Sequence, residues 1–166
     1  MGVEVQNPNP LSAFQSNAAA PKLIRASKTF TGAANLGATG VNELFTTTGA
    51  VLLDGFWVRC TDDLVDAVDG AVFTIGVTGT AAAYANFSAV DLDTIVAGSG
   101  LDQEGTAIDG GGVNLAGGTN FSAIFDNIIM TISAQAITGG VLEFYILYRP
   151  LSSDGALTLG AGMTAI

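Results

Sequence analysis

The chain has 166 residues, with fifteen acidic side chains against five basic ones, no histidine and a single cysteine, Cys60. A net charge of −10 leaves no basic face to neutralise phosphates, so a nucleic-acid partner is not expected. The missing histidine removes Ser-His-Asp and Cys-His nucleophile activation and most zinc sites.

The sequence is 49% hydrophobic and only 12% charged. That is enough apolar material for a sizeable core and too little charge to cover the outside, so part of the surface is expected to lie against another chain. No window approaches about 18 uninterrupted apolar residues, so no membrane partner is expected. The N-terminus also lacks the basic-then-apolar order of a secretory signal.

Residues 1–21 read as an extended arm. Pro8 and Pro10, each preceded by asparagine, argue against helix and central strand, and Pro21 is a further stop. Leu11 and Phe14 are apolar anchors on an otherwise polar tether. About 20 extended residues reach on the order of 60 Å, so the arm can grip a neighbour as readily as it can trail free.

Residues 22–155 carry the β signal. The first predicted strand, 22–30, holds three of the five cations. By alternation Lys22 and Lys28 share one face and Arg25 takes the other, where they can meet an acidic partner or form a solvated edge. A glycine turn through Gly32, Gly37 and Gly40 follows, then a short Thr-rich strand at 43–47. The 50–60 strand has an expected bend at Asp54-Gly55 and a heavy load in Phe56, Trp57 and Val58. Residues 62–70, with four aspartates, read as a polar connection.

In 71–78, Phe73, Ile75 and Val77 alternate, and Gly76 is expected to weaken or bulge the strand. Strands at 80–87 and 89–96 precede a glycine-rich loop over 98–118. The clearest strands, 128–134 and 141–148, are expected to form a hairpin through 137–140, with Pro150 ending the second. Residues 156–166 form an uncharged apolar tail in which Leu157, Leu159 and Met163 are available to pack on the body or on another subunit.

No stretch shows a sustained 3.6-residue period. Short strands and frequent turns indicate an all-β protein, an antiparallel β-sandwich with a jelly-roll-like arrangement. Its core is expected to gather Trp57, Phe73, Ile75, Ile132, Phe144 and Ile146, with Tyr145 on the opposite face of its strand.

No constellation points to catalysis, a metal or a cofactor. The acids of 62–70 lack the Asp-x-Asp-x-Asp-Gly spacing and closing Glu of an EF-hand loop. Asp91 and Asp93 share a face as on any solvent-facing strand, and Gly110-Gly111-Gly112 lacks the Gly-Lys-Ser/Thr of a phosphate loop. Cys60, at the end of an apolar strand, reads as a small buried hydrophobe.

Four stretches share one texture: 30–33 (FTGA), 49–53 (GAVLL), 74–84 (TIGVTGTAAAY) and 141–152 (VLEFYILYRPLS). In style and order, over about residues 28–153, the chain resembles small head proteins of tailed bacteriophages, including capsid decoration (cement) proteins. The resemblance implies a non-enzymatic virion protein, made in the host cytoplasm and carried on the capsid surface. It also implies a homotrimer that bridges capsomers and has the major capsid protein as partner. The residues most available for such contacts are Pro8, Pro10, Leu11 and Phe14 of the arm, Lys22, Arg25 and Lys28, and the tail's Leu157, Leu159 and Met163. A tail or fibre component, or a glycan-binding surface adhesin module, is the alternative.

Overall fold

A computed structural model describes residues 20–68, 70–87, 92–101, 107–109 and 123–166. Strand follows strand: β1 (Lys22–Thr29), β2 (Gly40–Thr48), β3 (Val51–Asp66), β4 (Val72–Val77), β5 (Thr80–Phe87), β6 (Ser99–Leu101) and β7 (Ala107–Asp109). Then come β8 (Ala123–Ile124), β9 (Ile128–Ser133), β10 (Ile137–Pro150), β11 (Ala156–Leu159) and β12 (Thr164–Ala165). Among the described residues the only helical piece is a 3-10 turn, Leu92–Thr94.

Two antiparallel sheets pack face to face, so the expected all-β sandwich is what the chain forms. The larger has the order β12-β1-β10-β3-β6-β7, with β8 on β3; the smaller has the order β11-β2-β9-β4-β5. The expected arm lies almost wholly outside the described residues.

The core follows from alternation. In β10, Leu142, Phe144, Ile146 and Tyr148 point inward and are buried, while Val141, Glu143, Tyr145 and Leu147 face out. Phe144 sits at the centre. Its ring meets Phe45 of the other sheet edge-on at 6.3 Å and Phe56 at 6.4 Å, and Phe56 in turn meets Tyr84 at 5.5 Å. Phe73, Ile75 and Ile132 are buried in the same cluster, as the alternating pattern requires.

Bulges interrupt that alternation and move side chains between faces. Across β10, Leu147 pairs with Gly55 and Tyr148 with Leu53, which leaves Asp54 unmatched. Inward positions are therefore Val51 and Leu53 before the bulge and Phe56, Val58 and Cys60 after it. The expected bend at Asp54-Gly55 is real, and its consequence is a correction: Trp57 is half-buried on the outer face, not in the core. A second bulge near Leu44 buries both Leu44 and Phe45. The irregularity at Gly76 is present too, where a Cβ would overlap the carbonyls of Thr80 and Ala81.

Four further expectations change. Strand β3 continues through the aspartates to Asp66, because the first residues of β10 pair with it and Leu64 turns into the core. No hairpin joins β9 to β10. The chain instead crosses from the smaller sheet to the larger, and 137–140 is already strand. Residues 92–94 turn rather than extend, burying Leu92 and Ile95, whose carbonyl accepts from Leu64 N at 3.1 Å. Part of the expected 98–118 loop is the β6–β7 strand pair, and Gly110-Gly111-Gly112 lies outside the described residues.

Candidate interaction surface

The outward face of β1, β10 and β3 gathers all three arginines of the chain. Cross-strand register sets the rows: Leu23–Leu147–Gly55, Arg25–Tyr145–Trp57 and Ser27–Glu143–Arg59. Gly55 has no side chain because the Trp57 ring occupies that space; a Cβ there would overlap it. The ring therefore lies flat along the sheet between the rows. Leu23 is 58% exposed at the β1 end of this strip.

The electrostatics are specific. Tyr145 Oη donates to Glu143 Oε2 at 2.5 Å, and this bond raises the phenol's pKa; burial and the Glu143 charge add to it, while Arg59 and Arg25 oppose it. Arg149 grips Asp54 with two bonds, Nη2 to Oδ1 at 2.6 Å and Nε to Oδ2 at 2.7 Å. The bulge at Asp54 is what brings that carboxylate alongside Arg149. Arg25 and Arg59 are exposed and form no ion pair among the described residues.

Beside this face the C-terminal segment clasps both sheets. β11 pairs with β2, and the chain then crosses to pair β12 with Ala26 and Ser27 of β1. The crossing is secured by Gly160 N donating to the Leu44 carbonyl at 2.9 Å. Beneath it lies Lys28, fully buried; its Nζ donates to the Asn35 carbonyl at 2.6 Å and reaches the Ala161 carbonyl at 3.5 Å. No carboxylate pairs with it among the described residues, and desolvation lowers its pKa from 10.5 to about 8.

These placements sort the residues expected to meet a partner. Lys22 and Arg25 are exposed on β1 and remain available. Lys28 is not, because its face of β1 turns into the sandwich and its charge serves the chain's own clasp. Leu157 is buried in the chain's own core, and Leu159 and Met163 pack against that core, so the tail is part of the body and not a free contact. Pro8, Pro10, Leu11 and Phe14 lie outside the described residues. Tyr145 lies on the outer face of β10, as alternation predicts, and Trp57, Arg59 and Arg149 join it on the outer face of the sheet without a sequence expectation that they do. The odd positions from Glu143 to Arg149 already carry that signal in the sequence, since they alternate with the apolar inward set.

Other side chains have structural work. Asp66 Oδ2 accepts from Ala71 N at 2.8 Å and Asp63 Oδ1 from Ala97 N at 2.7 Å, so these carboxylates hold turns. Cys60 is buried, its Sγ 3.0 Å from the Asp62 carbonyl, and burial pushes its thiol pKa up. Among the described residues no three potential metal ligands cluster. A cleft of about 280 Å³ between the β4–β5 turn and β8 is lined chiefly by Val77, Tyr84, Ile124 and Phe125.

No family model and no curated protein matches the chain. A solved structure described as the capsid asymmetric unit of cyanophage Pam1 is similar, with a TM-score of 0.46 and 18% identity over 80% of this chain and 86% of that one.

Proposed function

We propose that this chain is a virion structural protein that decorates the outer surface of a phage capsid as a homotrimer. In this reading it bridges adjacent capsomers through contacts with the major capsid protein. The observation that carries the reading is the outward face of the larger sheet. Arginines, a tryptophan and a tyrosine stand there on a rigid sandwich whose C-terminus is strapped down, in a chain with little other charge to keep surfaces apart. Arg, Trp and Tyr are the residues that dominate protein interfaces. The sequence resemblance to small phage head proteins supplies the class of partner. Many weak contacts repeated over a shell add through multivalency, which suits a protein that binds and does no chemistry.

Residues 1–21, with Pro8, Pro10, Leu11 and Phe14, are assigned to gripping the neighbouring capsomer. Deleting 2–20 should leave the melting of the body almost unchanged and weaken binding to purified capsids of the phage that encodes the chain. A large loss of fold stability with capsid binding intact would reverse the assignment. The alternative, a fibre or glycan-binding module, draws on Trp57 and Tyr145 as adjacent outward aromatics. It requires sugar binding on a glycan array and no stoichiometric binding to capsids.

A further inference from the structure

We infer that the cleft between the β4–β5 turn and β8 seats Phe14 of the chain's own N-terminal arm in the free subunit. The inference goes beyond the capsid reading and does not depend on it.

The cleft lies where β8 of the larger sheet stands opposite the β4–β5 turn of the smaller. Val77 and Thr80 line it from one side, Ile124 and Phe125 from the other, and Tyr84 completes the lining. Both walls are pinned. Thr78 N donates to the Asn127 carbonyl at 3.1 Å, and Thr47 Oγ1 donates to the Asp126 carbonyl at 2.8 Å. An apolar cavity of about 150 Å³ is enough to bind benzene. At about 280 Å³ the cleft takes a phenyl ring together with adjoining backbone.

Two features specify the occupant. Phe125, on the lip, is 69% exposed and offers an apolar contact. Tyr84 is only 3% exposed, yet its hydroxyl has no hydrogen-bond partner among the described residues. Buried hydroxyls are ordinarily satisfied, so an occupant that fits brings polar groups as well as an apolar side chain. A peptide brings both, whereas a lipid tail brings only the second.

The arm is the peptide within reach. Residues 1–19 lie outside the described residues, and the chain enters β1 at Lys22. Lys22 pairs with Tyr148, Tyr148 with Leu53, and the adjacent Leu52 with Ala123 of β8. The arm therefore leaves the larger sheet three strand spacings from the cleft, or about 14 Å. The eight residues from Phe14 to Lys22 can span up to about 26 Å. Phe14 is the one aromatic residue of the arm. So short a tether gives it a millimolar effective concentration, which favours its own cleft over a neighbour's. A capsomer that takes hold of the arm draws it out of the cleft.

The test is chymotrypsin cleavage after Phe14 in the full chain, with a synthetic peptide of residues 1–21 as the undocked reference. Cleavage of a docked segment tracks the fraction of time it spends open, so the chain should be cut about tenfold or more slower than the peptide. Ala123→Trp, which fills the cleft from an exposed position, should bring the rate to within about twofold of the peptide's. Thermal melts confirm that this variant is folded. In amide NMR spectra Phe14→Ala should move the signals of Val77, Ile124 and Phe125. It should leave in place those of Thr29 and Val141, at the far end of the larger sheet.

Cleavage of the chain at the peptide's rate, or protection that a folded Ala123→Trp variant keeps, would overturn the inference. Protection that disappears on about hundredfold dilution would assign the arm to a second copy, and the inference falls. Capsid binding is scored separately. A chain with a protected arm that never binds capsids overturns decoration and leaves the inference standing. One that binds capsids but is cut at the peptide's rate overturns the inference alone.

Discussion

Lys28 places an ammonium inside the C-terminal clasp, and its titration reports on that burial. The folded-state pKa is about 8 against 10.5 in the unfolded chain. Between those values the unfolded chain holds a proton that the native state lacks, so native stability rises with pH there. Below about pH 8 both states are protonated and the desolvation penalty is present in full. Above about 10.5 neither is, and the penalty is gone. At about 1.4 kcal/mol per unit, the whole interval amounts to about 3 kcal/mol. This is an upper bound, because the 2.6 Å bond to the Asn35 carbonyl favours the charged amine. From pH 7 to 10 the expected gain is about 2 kcal/mol.

Three other groups act in the opposite sense, so the raw pH profile is not diagnostic. The buried Tyr84 hydroxyl is pushed up to about 12, the Tyr145 phenol is raised by its bond to Glu143, and the Cys60 thiol is also raised. Each keeps its proton in the native state where the unfolded chain releases it, above the ordinary phenol and thiol values, and so removes stability there. The comparison that isolates Lys28 is with Lys28→Met, which fills the same space without a titrating group. Urea melts of both proteins at pH 7, 8.5 and 10 give the difference directly. Wild type should gain about 2 kcal/mol on the variant between pH 7 and 10. A difference flat to within about 0.5 kcal/mol, near the resolution of such melts, would refute the claim that the ammonium is held desolvated.

Phe144→Ala should cost about 3–5 kcal/mol, since the ring joins Phe45 and Phe56 across the core. Tyr145→Ala, on the outer face, should cost about 1 kcal/mol in an isolated subunit; denaturant melts decide, and the reverse order would mean the β10 register is off by one. Gly55→Ala should displace the Trp57 ring outward at about 1 kcal/mol, seen as a red-shifted emission with a modest change in melting. Truncation after Gly155 should lose at least about 3 kcal/mol, because Leu157, Leu159 and Met163 leave the core; an unchanged melt would mean the clasp adds nothing. Alkylation of Cys60 at pH 8 should run on the order of a hundredfold slower in the native protein than in urea, given its burial and raised pKa.

Alternation made much of the sandwich legible. In β4 and β10 the large inward hydrophobes recur at every second position, Phe73 and Ile75 in the one and Leu142, Phe144, Ile146 and Tyr148 in the other, with Thr74, Glu143 and Arg149 among the residues between them, so a period of two assigns both faces without reference to partners. What alternation cannot register is a bulge that reverses it. Asp54-Gly55 signals a bend, but nothing local says that one extra residue moves Trp57 outside and Phe56 inside; that depends on Leu147 and Tyr148 of a strand about ninety residues away. Pairing across sheets is equally non-local. The glycine pair Gly139-Gly140 reads as a hairpin turn after β9, yet it lies inside β10, and the two strands join different sheets.

Lys28 shows the limit of residue type as a guide to exposure. A lysine on a strand edge is expected in solvent, and here two backbone carbonyls in the turn and tail supply acceptors that let it be buried. Sequence texture does not encode those carbonyls, since any residue has one. By contrast, the face proposed as an interface is encoded twice, in Glu143, Tyr145, Leu147 and Arg149 and in Trp57 and Arg59, with the same two-residue spacing. Two strands that each alternate apolar-inward with aromatic-or-charged-outward can share an outer face only if their registers agree. The bulge at Asp54 brings them into agreement: without its extra residue Trp57 would turn into the core and Phe56 would stand beside Tyr145. The same feature that hides the core assignment from the sequence therefore assembles the surface on which the functional reading rests.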